Sequence, residues 1–255
     1  MQATNIDDVL RILDGIIADC KAKGDPLGYF PALYRQVTLT VKQGIASGYF
    51  DDGPRLDRFD ARFANRYFAA YETWRSNGQP SKCWQVAFQG TQSRKLIILQ
   101  DLVVGINAHI NLDLGVAAGE MFQGQALQDF HGDFDKINQI LSGLLPKVED
   151  TVCQFSPLLG LLAKIGGQDA IQALDFSIDA ARDDSWLHAT LLSLQPPALW
   201  PLAVQALDGK VAFLGKVVTR PDVIVASAVQ IIRDAESTDV PAIIDALCSI
   251  VPPAS

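Results

Sequence analysis

Apolar residues recur along this chain at spacings of three and four, and alternating strand-like stretches are nearly absent, so the sequence predicts an all-α fold. Ile6 to Lys23 reads as a first helix stopped by Gly24 and Pro26, and Phe30 to Ser47 as a second with Gly48 at its end. After the turn Asp51-Asp52-Gly53-Pro54, the stretch Arg55 to Ser76 carries Phe59, Phe63, Tyr67, Ala70 and Trp74 on one stripe and ends at Gly78 and Pro80. Ser81 to Gly90 is shorter, and a helix apolar nearly all round runs from about Ser93 to Glu120. Beyond a Gly- and Gln-rich loop come Leu127 to Leu145, then Pro146 to Gly166 with a break near Pro157, and Gln168 to Leu194, closed by Pro196-Pro197. Segments 198 to 218, 221 to 236 and 240 to 250 precede Pro252-Pro253. With no linker and no internal repeat, the expectation is one helical domain over residues 1–255, built around the buried helix near 93–120, with helices of 197–255 on the same core.

The buried helix carries the candidate chemistry. At about 100° per residue, Leu102, Ile106, His109, Asp113, Val116 and Glu120 share a narrow arc, while Asn107 and Asn111 project from the opposite side. An imidazole and carboxylates in apolar surroundings need partners, because an unpaired polar group costs several kcal/mol to desolvate and an isolated charge costs more. The face of Gln168 to Leu194 that holds Ile171, Leu174, Ile178, Ser185 and Ala189 also holds Arg182, a guanidinium that cannot deprotonate. It is expected to meet Asp113, Glu120 or Asp133. Asp133 and Asn138 flank the stripe of Phe130, Phe134, Ile137 and Leu141, where each could reach a cavity rim or stay solvated; Trp186 should pack, and His188 should be exposed.

Composition narrows the function classes. The chain has 255 residues, 49% hydrophobic, with a formal net charge of −8. No Lys/Arg run is present, which argues against nucleic acid and anionic membrane as partners and leaves a small-molecule substrate or ligand. The first twenty residues have acidic side chains where a signal peptide is basic, so they read as a helix of the fold, and the expected location is cytoplasmic. Cys20, Cys83, Cys153 and Cys248 form no CxxC pair and are expected to be reduced and mostly buried. Three histidines are too few for a His-rich metal site, and no nucleotide loop, nucleophile elbow, HExxH pair or helical di-iron pattern occurs. The expectation is therefore no cofactor and no metal, although His109 and Asp113 at i and i+4 have the spacing of two ligands.

The stretch Gly105-Ile106-Asn107-Ala108-His109-Ile110-Asn111-Leu112-Asp113-Leu114 resembles a family of mostly bacterial proteins defined only as a domain of unknown function. The likeness extends through Tyr34 to Thr38, Phe63 to Tyr67, Trp84, Phe88, Asp133 to Asn138 and Arg182 to Trp186, covering residues 25 to 195. It implies an all-helical domain and transfers no activity. Two readings follow from the residues themselves. In the first, the protein is an enzyme acting by proton transfer on a small, mostly apolar molecule through cyclisation, isomerisation, elimination or hydrolysis. His109 is the acid or base, Asp113 orients it and Arg182 fixes negative charge. Asn107, Asn111, Glu120, Asp133, Asn138 and Trp186 are the candidates for substrate contact, with the two asparagines able to brace the helix instead. In the second, a noncatalytic binding or interaction protein uses the same cluster to fix helix register. A pocket of about 300 Å³ or more at His109 favours the first.

Overall fold

A computed structural model of the protein describes residues 1–160 and 178–250. The described residues form helices and contain no strand. In chain order these are α1 (Ile6–Lys23), α2 (Tyr29–Ser47), α3 (Gly53–Arg75), α4 (Lys82–Gln92), α5 (Ile98–Ala108), α6 (Gly115–Met121), α7 (Gln125–Phe155), α8 (Ile178–Ser193), α9 (Trp200–Thr219), α10 (Val223–Ala235) and α11 (Val240–Cys248). A π-helical segment, His109–Leu114, joins α5 to α6.

Local sequence sets many of the ends. Asn5 caps α1 by accepting from the Asp8 amide at 2.9 Å, and Gly24 closes it at φ 58°, a conformation that costs glycine little. Asp52 caps α3 through the Arg55 amide at 2.9 Å. Other ends are capped from far away in sequence. Asp208 of α9 accepts from the Lys82 and Cys83 amides at 2.8 and 2.9 Å, and Glu236 accepts from the Ile98 amide at 3.0 Å. These satisfy orphan donors at the starts of α4 and α5.

The expected helix over 93–120 begins at Ile98, because Ser93 to Ile97 form the turn in which Arg94 adopts φ 54°. The predicted stop at Pro146 is absent: α7 runs through that proline to Phe155. Pro146 forfeits one backbone bond, but Leu144, Val148 and Val152 keep an apolar face across the break, and tertiary packing overrides the local cost. Pro157 does lie in a turn beyond α7. The parts of the predicted helices over 161–166 and 168–177, with Ile171 and Leu174, fall outside the described residues, as do Pro252 and Pro253.

The segment Ile98–Met121 has the length and hydropathy of a membrane span, and 94% of the tested window is buried by its neighbours. Close approach to it depends on small residues. A Cβ at Gly105 would meet the Phe30 ring at 2.7 Å, one at Gly115 the Ser185 carbonyl oxygen at 2.7 Å, and one at Gly119 the Leu192 Cβ at 2.8 Å. Gly115 and Gly119, four apart, thus let α8 lie directly on α6. Elsewhere α9 packs against α4 and α5, and α11 packs against α2.

Candidate functional site

His109 and Asp113 lie at the two ends of one turn in the π segment, with Nδ1 and Oδ2 3.4 Å apart. The carboxylate is held from two more directions. Trp84 of α4 donates Nε1–H to Oδ2 at 2.9 Å, and Arg66 of α3 donates Nε–H to Oδ1 at 3.1 Å. The imidazole is sandwiched by aromatics: Phe63 stacks on it at 3.8 Å and 10°, and Tyr34 meets it edge-on at 4.5 Å. Burial holds His109 below its ordinary value, opposed by Asp113, so the ring is neutral at pH 7. With Nδ1 carrying the proton toward the carboxylate, Nε2 is left as the acceptor.

A cavity of about 520 Å³ lies beside this ring. The described residues on its walls come from α2, α3, α5, the π segment, α7 and α8, and most are aliphatic or aromatic, among them Leu33, Phe59, Leu102, Val103, Ile106 and Leu144. The polar exceptions toward the interior are Tyr34, Asp60, His109 and Arg182. Glu149, Cys153 and Gly160, all exposed, line its outer end. Among the described residues the Tyr34 hydroxyl, Asp60 Oδ2 and His109 Nε2 are buried without a hydrogen-bond partner, as are Arg55 Nε, Asp101 Oδ1, Ser156 Oγ and His188 Nε2 away from this cavity. Burial pushes the Asp60 carboxyl up to about 7, with a further contribution from Asp57, and pushes the Tyr34 phenol well above its ordinary value. A second buried carboxyl, Asp101 in the first turn of α5, is raised to about 8 by burial, with Glu236 adding to the rise.

The sequence-predicted residues divide between this site and the scaffold. His109, Asp113 and Arg182 are 3%, 2% and 2% exposed, as periodicity required. The expected pairing of Arg182 with Asp113, Glu120 or Asp133 is corrected. Among the described residues Asp113 pairs with Arg66, Glu120 with Arg62 at 3.0 Å and Arg66 at 3.7 Å, and Asp133 with Arg55 at 2.8 Å. Arg182 itself donates to the Phe134 carbonyl at 2.7 Å and to Asn138, and lies over the Phe134 ring at 4.0 Å. Asn107 and Asn111 brace the helix: Asn107 donates to the Val211 carbonyl at 3.0 Å, and Asn111 to Asn107 at 3.1 Å. Asp133, fully buried, ties down the α2–α3 turn by accepting from the Asp51 and Asp52 amides at 2.6 and 3.1 Å, and against its burial the Arg55 hydrogen bond, with these amides, lowers its pKa. Trp186 packs on Phe134 and His131, and His188 is half-buried beside Asp184 rather than exposed. Of the cysteines, Cys20 and Cys83 are buried, Cys248 is half-buried and Cys153 is exposed; all are free thiols. Among the described residues no three His, Cys, Asp or Glu side chains converge as a metal site.

Sequence reasoning missed Asp60, Tyr34, Arg66 and Trp84 as parts of the site. The signal for Asp60 was present: at about 100° per residue it falls between Tyr67 and Tyr71 inside the apolar arc of α3. Tyr34 and Trp84 looked like packing aromatics, and only the fold brings them to His109.

The sequence model of the Family of unknown function (DUF5995) matches residues 6–221, further in both directions than the stretch marked by motif resemblance. No curated protein and no solved structure matches the chain.

Proposed function

The chain belongs to the Family of unknown function (DUF5995), and within it we propose an enzyme that performs proton-transfer chemistry on a small, mostly apolar organic substrate in the interhelical cavity. The observation that carries this reading is that three residues lining one apolar cavity, His109, Asp60 and Tyr34, each hold a buried polar atom, Nε2, Oδ2 and the hydroxyl, without a hydrogen-bond partner among the described residues. A purely structural cluster would satisfy such atoms. His109 is the base, and Asp113, itself held in place by Trp84 and Arg66, fixes its tautomer and stabilises the imidazolium formed as it takes a proton. Asp60, protonated to a useful extent near neutral pH, returns a proton at a second position, and Tyr34 donates a hydrogen bond to a substrate oxygen as negative charge develops. One proton removed and one returned gives an isomerisation with no co-reactant. An elimination uses the same two groups.

Deuterium uptake tests this. Small apolar ketones incubated with the protein in heavy water should incorporate deuterium next to the carbonyl, read by mass spectrometry. His109→Gln should reduce the rate by about a hundredfold or more while the protein stays folded. A folded His109→Gln protein with undiminished exchange sinks the assignment. The alternative, a noncatalytic binder of the same class of molecule, is favoured by the bracing roles of Asn107, Asn111 and Asp133, and predicts binding without exchange.

A further inference from the structure

Resting on the reading of this cavity as the ligand site, its walls say what head group the ligand carries. Tyr34, Asp60 and His109 line the cavity together, with the Tyr34 ring 4.5 Å from the imidazole and its phenol within the field of Asp60, and each holds a buried polar atom without a partner among the described residues. The remaining described wall includes aliphatic side chains of α5 (Leu99, Leu102, Val103) and of α7 (Leu144, Val148, Val152), with the exposed Glu149 and Cys153 also on it. Among the described residues the walls thus combine a small polar group of side chains with a largely hydrocarbon surface.

Charge decides among the heads that could sit there. A carboxylate would be tolerated only while Asp60 keeps its proton, and on ionisation the two would repel strongly in a poorly screened environment. An ammonium would bring a full charge into an apolar cavity where, among the described residues of the inner wall, the one carboxyl is Asp60, which holds a proton when neutral. An uncharged oxygen meets neither objection. It accepts from Tyr34 or from protonated Asp60, and a hydroxyl also donates to His109 Nε2. We infer that the cavity takes an uncharged amphiphile, a single hydroxyl or carbonyl oxygen on an aliphatic chain, with the oxygen at Tyr34, Asp60 and His109 and the chain between α5 and α7. The volume of about 520 Å³ suits a medium-length chain.

Four probes of equal chain length isolate the head group: decanol, 2-decanone, decanoate and decylammonium, titrated calorimetrically into the intact protein at pH 7. The alcohol and ketone are expected to bind at least about tenfold more tightly than either ion. Tyr34→Phe removes only the unpartnered hydroxyl and should weaken the ketone about fivefold. Because that variant keeps the ring packing, it should fold, and a thermal melt checks this. Tighter binding of decanoate or decylammonium overturns the inference, as does ketone affinity indifferent to Tyr34→Phe. Binding of no probe overturns both the inference and the reading of the cavity as a site. Neutral probes bound by wild type and His109→Gln alike, with no deuterium uptake, support the ligand class while removing the catalytic reading.

Discussion

At the scale of single residues, Asp60 is the side chain whose behaviour most directly reports on the cavity. Its carboxyl is raised from an ordinary unfolded-state value near 4 to about 7 in the folded protein. The folded state therefore holds a proton that the unfolded state has lost between those values, and stability present below pH 4 drains away as the pH rises through 7. An amide cannot ionise, so Asp60→Asn should gain on wild type by up to about 1.4 kcal/mol per pH unit across that window and level off above it. Urea titrations at a series of pH values measure the difference, and a flat difference would mean that Asp60 is ionised in the folded protein. The burial of Asp113 and His109 was legible from a 3.6-residue period. The partners of Asp113 were not, because periodicity says which way a side chain points and nothing about which helix it meets. Arg66 reaches Asp113 from the edge of the α3 stripe, a position that reads as a solvated arginine until α3 is laid against the π segment.

At the scale of elements, the π segment explains both a success and a miss. A helix apolar all round was readable as buried, but an extra residue in one turn leaves no trace in hydrophobic spacing. Its conformation depends on a neighbour: Ser185 of α8 donates to the Ile110 carbonyl at 2.5 Å, and α8 reaches that carbonyl because Gly115 and Gly119 admit it. The same economy of space operates at Gly105. There a methyl group would press on three Phe30 ring and Cβ atoms at 2.7 to 3.0 Å, and Phe30 also lines the cavity and touches His109 edge-on at 5.5 Å. Gly105→Ala, conservative by helix propensity, should therefore cost about 1–3 kcal/mol through overpacking and weaken decanol binding with it. Thermal melts and calorimetry on the variant decide this, and a stabilised protein would show that Phe30 moves freely. Pro146 teaches the converse: a local helix breaker is overruled when the apolar face on both sides of it has a wall to build.

For the molecule as a whole, the all-α class was readable because no strand period competes with the helical one, whereas the order in which helices touch was not. The long-range caps matter here. The amides at the starts of α4 and α5 donate to Asp208 and Glu236, separated from them by 125 to 138 positions. Put in terms of time, a ribosome has made the whole central helix well before it makes the groups that finish its first turn, and a nascent chain must wait with those amides on water. A fragment of residues 1–160 should accordingly show helical far-ultraviolet dichroism without the near-ultraviolet signal of fixed aromatics, and a fragment that already displays that signal would refute this order of assembly. On that timetable the cavity that needs Tyr34, Asp60 and His109 in one place takes shape late, and a newborn chain has no finished hollow at its centre until residue 236 has left the ribosome.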